Sequence, residues 1–244
     1  MAIPIATAPV NAVAAATTIS AAVIAFFSNG DSVEWDGNVY TYDAASVFAN
    51  GEFRDATELA AHINALPDWI GAEAAGAVNI SGAEPCAHYN GNTFAVNHFV
   101  GTTAGGGAGS TGDVTINAAR VAALIAGDTV SFNGSTYTMV AAAPGANEFT
   151  NQAGLIALID AEADWAAANN AGDIDISSAA NGAIWNGFDV DIVFNRTTAS
   201  GVDGTPGVAG GICTDMSRIY ITTETGGVTN NGWQRTDALN FATY

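Results

Sequence analysis

The chain has no lysine, five arginines and only 12% charged residues in 244 positions, and its 24 carboxylates set the net charge at −19. Five scattered arginines cannot build the cationic stripe that neutralises phosphates, and so acidic a surface repels nucleic acid and anionic lipid headgroups alike. Nucleic acid and membrane are therefore excluded as partners. Cysteine is nearly as scarce: Cys86 and Cys213 stand far apart, which fits neither a disulfide framework nor a paired zinc knuckle. No uninterrupted apolar run is long enough to span a bilayer, because Pro4, Pro9, Asn11 and several threonines break the uncharged stretch before Asp31. That stretch also lacks the positive start of a secretory signal. Although Val13-Ala14-Ala15-Ala16 resembles a cleavage site, no signal is expected. What the chain does have is 28 glycines and 49% hydrophobic residues. A chain of this length can bury about 70–75% of its unfolded surface, enough for a core without disulfides or metals. Its low charge density and high apolar content argue against a disordered coil.

The sequence repeats itself. Gly30-Asp31-Ser32-Val33-Glu34-Trp35-Asp36-Gly37-Asn38-Val39-Tyr40-Thr41-Tyr42 aligns with Gly127-Asp128-Thr129-Val130-Ser131-Phe132-Asn133-Gly134-Ser135-Thr136-Tyr137-Thr138-Met139, six of thirteen positions being identical at an offset of 97. The register continues at 96, matching Phe53 with Phe149, Leu59 with Leu155, Ile63 with Ile159, Asp68-Trp69 with Asp164-Trp165, Gly76 with Gly172, and Asn90-Gly91 with Asn186-Gly187. Upstream, Ile19 through Ala25 lies against Ile116 through Ala122. A period of this length points to a duplicated supersecondary unit.

Each copy checks the reading of the other. Ile19, Val23, Phe26 and Phe27, like Ile116, Val121, Leu124 and Ile125, fall near helical spacing, predicting a short helix with a buried strand as its rival. Asp36-Gly37 and Asn133-Gly134 sit between alternating apolar residues and predict type I′ hairpins. Leu59, Ile63 and Leu66, matched by Leu155, Leu158 and Ile159, predict a helix of about three turns. Val78-Asn79-Ile80 and Phe94-Ala95-Val96, with Ile174-Asp175-Ile176 and Val190-Asp191-Ile192, predict two further strands per copy. The expected fold class is α+β: two tandem homologous modules, each of short helix, hairpin, helix and two antiparallel strands forming a small sheet with helices on one face. The expected boundaries are an extended arm at 1–17, modules at 18–100 and 114–196, a glycine-rich flexible linker or long turn at 101–113, and a glycine-rich turn with a β segment at 197–244. Within that last segment, Arg218-Ile219-Tyr220-Ile221-Thr222 and Trp233-Gln234-Arg235 read as strands too few to hold a core alone, so the segment must dock on the second module or on another subunit.

These patterns carry a resemblance. Gly127 to Thr138, followed by an Ala-Leu-Ile-rich helix and a strand pair, is similar to the duplicated small α+β modules of tailed-bacteriophage virion proteins. Gly204-Thr205-Pro206-Gly207, Arg218 to Thr222 and Gly232-Trp233-Gln234-Arg235 resemble the terminal β segments of phage appendage proteins. The resemblance implies a non-enzymatic structural component of an extracellular virion, either a capsid decoration (cement) protein or a tail or fibre protein. It implies no catalytic residue and no cofactor. The partners it implies are other virion proteins and further copies of the chain in a homo-oligomer, a trimer among the options. A bacterial surface or adhesion module, or a glycan-binding appendage domain, is the alternative. Interface candidates are the apolar arm residues Ile3, Ile5, Val10 and Val13, expected to lie extended on a neighbouring subunit or the particle surface by strand addition, with a disordered terminus as the rival reading, and Tyr220 and Trp233 in the C-terminal segment.

Enzymatic and metal chemistry would draw on a few further residues. Cys86, His88 and His98 suggest a zinc or thiolate–imidazole site, but no fourth ligand is near in sequence and their counterparts are Gly182, Ile184 and Phe194. Scaffold positions are the expectation. His62 is expected to be half-buried on its helix. Asp173 with Asp175 and Asp189 with Asp191 each share a strand face, where calcium or acid–base chemistry is conceivable. A solvated face is preferred, since their counterparts Ala77, Asn79, Thr93 and Ala95 are uncharged. Trp69 and Trp165 are expected to be core lids, with ligand stacking as the rival role.

Overall fold

A computed structural model describes residues 13–35, 37–84 and 87–202, together with the backbone of Ile212–Thr214, Arg218–Thr222 and Trp233–Asp237. The strands are β1 (Ala16–Ile19), β2 (Ser32–Trp35), β3 (Asn38–Tyr42), β4 (Glu52–Phe53), β5 (Trp69–Ala74), β6 (Ala77–Gly82), β7 (Thr93–Thr102), β8 (Asp113–Ile116), β9 (Thr129–Phe132), β10 (Ser135–Met139), β11 (Glu148–Phe149), β12 (Trp165–Asn170), β13 (Asp173–Ser178), β14 (Asp189–Thr197), β15 (Ile212–Thr214), β16 (Arg218–Thr222) and β17 (Trp233–Asp237). The helices are α1 (Ala21–Ile24), α2 (Ala56–Asn64), α3 (Ala118–Ala123) and α4 (Gln152–Asp160), with single 3-10 turns at Phe48–Asn50, Ala87–Tyr89 and Ala183–Trp185. The fold is mixed α+β, mostly sheet with few helices. It divides into two compact units, one drawn from Met1–Ile19, Ala56–Thr93 and Thr197–Tyr244, the other from Ser20–Asp55 and Phe94–Arg196.

The second unit is built on an eight-stranded sheet in the order β11-β10-β9-β14-β7-β2-β3-β4. From either edge inward it has a two-residue strand paired in parallel, an antiparallel hairpin and a long strand, and the two long strands meet at its centre. The hairpins form where the turn chemistry places them: Trp35 pairs with Asn38 and Phe132 with Ser135. Asn133 and Gly134 have φ of +50° and +78°, the two left-handed residues a type I′ turn requires. Val33, Trp35, Phe94 and Val96 are buried on one side of the sheet, as are Val130, Phe132, Val190 and Ile192. Trp35 lies flat on Phe94 with ring centroids 3.7 Å apart.

The remaining strands of the repeat leave the hairpins and pair elsewhere. β1-β6-β5 in the first unit and β8-β13-β12 in the second are three-stranded antiparallel sheets. This replaces the expected single small sheet per module, and it adds β5 and β12, which the sequence pattern does not predict. The expected first helix is also redrawn. Ile19 and Ile116 are strand residues with no exposed surface, and only one turn of α1 and under two of α3 follow them. Helix and strand each hold in part, because the apolar stretch switches from strand to helix at Ser20 and Asn117, whose side chains cap the helices. α2 and α4 form as expected, burying Leu59 with Ile63 and Leu155 with Ile159. α2 lies so close to β5 that a Cβ on Gly71 would stand 2.6 Å from the Ala60 carbonyl oxygen.

The glycine-rich stretch 101–113 is ordered. β7 runs into it, and bridges between Ala104 and Asp113 and between Gly107 and Ser110 close a tight turn. A Cβ on Gly106 would stand 2.5 Å from the Gly182 carbonyl oxygen, so this backbone is packed, and lack of side chains here marks close approach. Of the expected arm, residues 13–17 lie among those described. Ala15 is fully buried, Ala16 and Thr17 belong to β1, and Val13 and Ala16 bridge Val202 and Ala199 of the same chain. Strand addition by this part of the arm is thus intramolecular. β15, β16 and β17 form an antiparallel sheet in which Thr222 pairs with Trp233 and Tyr220 with Arg235.

A strap follows each long strand. After β7, the Thr103 amide donates to Phe188 O, the Gly187 amide to Thr103 O, and the Thr103 hydroxyl to Trp185 O. After β14, the Thr198 amide donates to Asn92 O, the Gly91 amide to Thr198 O, and the Thr198 hydroxyl to Tyr89 O. Asn186 brackets Gly106, accepting from its amide at 2.8 Å and donating to its carbonyl at 3.1 Å. Asn90 brackets Gly201 likewise, at 2.8 and 2.9 Å. The segment after each long strand is therefore held by the loop that precedes the other long strand.

Candidate functional site

A chain with so few cations uses two of its five arginines inside the second unit. The residue before β2, Asp31, is 3% exposed, and the residue before β9, Asp128, is fully buried. Both carboxylates sit at the entry of a hairpin and accept main-chain hydrogen bonds in the same pattern. Asp31 takes the amides of Ser28 (2.7 Å) and Phe99 (2.9 Å); Asp128 takes those of Ile125 and Asn195, both at 2.8 Å. A buried carboxylate also requires a counter-charge. For Asp128 it is Arg196 on β14, whose Nη1 donates at 2.7 Å and whose Nη2 reaches the last carbonyl of α3, Ala123, at 3.4 Å. Burial still pushes the Asp128 carboxyl above its ordinary value, against the opposing pull of the Ile125 amide, Arg196 and the Asn195 amide.

Asp31 has a histidine instead. Nδ1 of His98, on β7, lies 2.6 Å from Asp31 Oδ2, and His98 Nε2 accepts from Nε of Arg120 on α3 at 2.8 Å. A guanidinium has no acceptor, so Nε2 carries no proton and the ring is the neutral Nδ1–H tautomer donating to Asp31. The Arg120 guanidinium covers the Phe26 ring at 5.4 Å, Phe26 stacks on Phe194 at 6.1 Å, and Arg196 covers Phe194 at 5.5 Å. Partial burial holds Arg120 below the usual arginine value, with Asp31 pulling the other way. The result is a continuous series from one acid to the other: Asp31, His98, Arg120, Phe26, Phe194, Arg196, Asp128.

An aspartate–histidine pair is also how catalytic bases are oriented, but there the free imidazole nitrogen faces a substrate or nucleophile. In this chain both ring nitrogens are engaged by protein groups, which leaves His98 neither a base nor a ligand position in this state. The other candidates from the sequence are dispersed in role. Cys86 lies outside the described residues, and His88 belongs to the 3-10 turn at Ala87–Tyr89, its ring 5.2 Å from that of Tyr89. Among the described residues no cluster of three His, Cys, Asp or Glu side chains could hold a metal ion. His62 is buried, 7% exposed, and not half-buried as its helix position suggested.

The paired aspartates have separate tasks. Asp173 accepts from the Ala118 amide at the start of α3, and Asp175 accepts from Thr115 and Asn170. Asp189 accepts from the Thr102 hydroxyl at 2.6 Å. Asp191 is exposed, and partial burial together with Asp189 and Asp31 raises its carboxyl above the ordinary value. Asp189 and Asp191 border a shallow concavity shared with Ser131, Asn133 and Phe188. Trp69 and Trp165, 6% and 4% exposed, are core residues: Trp165 meets Phe132 and Phe188 edge-on at 4.8 and 5.0 Å, and Trp69 meets Tyr89 at 5.2 Å. Of the interface candidates, Val13 is 49% exposed beside Val202, while Ile3, Ile5 and Val10 and the side chains of Tyr220 and Trp233 lie outside the described residues.

The Asp31–His98–Arg120 series was missed from sequence. A signal existed: Gly-Asp at 30–31 and 127–128 is identical in both copies, and an acid kept at the mouth of an apolar hairpin is a candidate buried charge. Its cations lie too far along the chain to be paired by inspection. Comparison of the chain with family models, with curated proteins and with solved structures yields no match.

Proposed function

We propose that the chain is a non-enzymatic structural component of a tailed-phage virion, a capsid decoration (cement) or tail/fibre protein, with a body made of two tandem copies of one α+β module. The observation that supports this reading is the pair of straps: the segment after each long strand is held by the loop before the other, through the same pattern of amides, hydroxyls and asparagine brackets. Such a body is held by main-chain hydrogen bonds and apolar packing, and the buried acids Asp31 and Asp128 serve internal structure. It suits a part whose job is shape and self-association. Further copies of the chain and other virion proteins are its partners, and the extracellular particle is its location.

Quantitative mass spectrometry and immunogold electron microscopy of particles and cells that produce the chain test this. Hundreds of copies per particle mark a decoration protein and a handful mark a tail part. Finding the chain on the bacterial surface and absent from particles would replace this proposal with an adhesion module.

A further inference from the structure

We propose that Asp31, His98 and Arg120 form a proton-operated latch between α1 and α3, in which a second proton on His98 expels the Arg120 guanidinium and uncovers the Phe26 ring. The inference stands on geometry and does not depend on the function proposed above. His98 is 2% exposed and its ring is neutral because Arg120 Nε donates to its Nε2 at 2.8 Å. When Nε2 takes a proton, the acceptor facing Arg120 Nε becomes a donor, and two cations meet at contact distance with little water to screen them.

One of the two must move, and the surroundings choose which. His98 is fixed to Asp31, whose Oδ2 already receives the Ser28 amide and whose Oδ1 receives the Phe99 amide. An imidazolium there gains a charge-assisted bond to that carboxylate. Arg120 is partly exposed and has solvent to enter. Among the described residues, the charged groups facing His98 are Asp31 from the turn before β2, Arg120 from α3 and Asp191 from β14; α1 brings none. Leaving costs Arg120 its place over Phe26, so Phe26 loses its cover while Arg196 stays over Phe194. α3 stays anchored through its Asn117 cap and through Asp173 on the Ala118 amide, which confines the change to the α1 side.

The Asp128–Arg196 pair supplies an internal control, because it contains no histidine and its bond does not depend on an imidazole proton. The test is a pH titration of the full chain by 1H–15N NMR, following the His98 ring nitrogens and the Nε–H signals of Arg120 and Arg196. The Nδ1–H tautomer is expected before acidification. As His98 Nε2 gains its proton, hydrogen exchange at Arg120 Nε is expected to accelerate on the order of ten-fold or more in the same step, while Arg196 does not change. In His98→Gln the Arg120 signal is expected to lose that step. An Nε2–H tautomer at the start, an Arg120 Nε–H that stays protected beside a doubly protonated His98, or a His98 that remains neutral until the whole chain unfolds would each overturn the proposal. Should His98→Gln fail to fold, the wild-type titration decides alone.

Discussion

Asp31 and Asp128 are presented by equivalent hairpins and take equivalent pairs of main-chain amides, yet one is neutralised by an arginine in direct contact and the other through a histidine that an arginine from α3 completes. The difference shows that the backbone dictates where a carboxylate is buried and leaves open how its charge is met. A direct guanidinium makes a permanent pair. An interposed imidazole makes the same charge balance conditional on a proton.

The largest expected break in this comparison comes from removing the acids. Asp128→Ala leaves Arg196 buried without its carboxylate and is expected to cost about 3–5 kcal/mol by urea denaturation. Asp31→Ala leaves a neutral imidazole and two unpaired amides, and its cost should be smaller, about 2–3 kcal/mol. Equal losses would mean that the two acids are balanced in the same way after all.

The exposed edges of the two three-stranded sheets sharpen the comparison further. On β5 the Asn64 amide both accepts from the Gly71 amide at 3.1 Å and donates to its carbonyl at 2.6 Å, acting as a substitute strand; on β12 Asp160 only accepts, from the Ala167 amide at 3.3 Å. Filling an edge in this way shields it from other chains. Asn64→Ala is expected to cost about 2 kcal/mol and Asp160→Ala about 1 or less, read from the shift in denaturation midpoint.

A pH-dependent difference should follow from Glu162, which accepts from Tyr137 and Asn133 and whose counterpart 96 positions earlier in the sequence is Leu66. Burial opposes ionisation of Glu162, but hydrogen bonds from Ser135, Tyr137 and Asn133 outweigh it and hold the carboxyl below its usual value. A depressed folded value gives stability that is present above the ordinary glutamate range and lost as the pH falls through the folded one. The melting temperature of Glu162→Gln should therefore match wild type most closely in acid and diverge as the pH rises. Parallel curves would assign Glu162 no part in the fold's pH response. On the alkaline side, burial and Glu162 raise the Tyr137 phenol, so the same clamp weakens as the pH climbs past the ordinary tyrosine range.

The smallest effect is expected at Ala108–Gly109, the tip of the turn after β7. The ladder that this turn closes, Ala104 to Asp113 and Gly107 to Ser110, is formed at the other strap by Ala199 to Ala16 and Val202 to Val13, residues remote in sequence. A ladder built without a turn should tolerate a longer one. Doubling the turn by inserted glycine and serine should cost roughly 0.6 kcal/mol, measured by calorimetry. A loss of several kcal/mol would show that the turn itself organises the fold.

Local chemistry made part of this structure readable before any coordinates. The two hairpins follow from Asp36-Gly37 and Asn133-Gly134, because the turn type is decided by the residues that form it. α2 and α4 follow from stripes of Leu and Ile that one helix face can bury. β5 and β12 did not announce themselves: Trp-Ile-Gly-Ala-Glu-Ala and Trp-Ala-Ala-Ala-Asn-Asn are poor strand sequences, and their Ala-Gly turns place Ala75 and Ala171 at φ of +52° and +54°. Their strand conformation comes from β6, β13 and the helices above them. The buried acids were visible as a repeated Gly-Asp, whereas their cations were not, since His98 and Arg196 lie 67 and 68 positions further on.

By itself the amino-acid sequence determined a repeated series of turns, helix stripes and alternating strands, because these depend on residues close along the chain. Only the tertiary structure decided that the two long strands stand side by side, that the segment after each is held by the loop before the other, and that one acid meets an arginine while the other meets a histidine. Those outcomes depend on which groups become neighbours when water is expelled, and a buried charge or an unpaired strand edge accepts whatever partner the fold brings within hydrogen-bond reach.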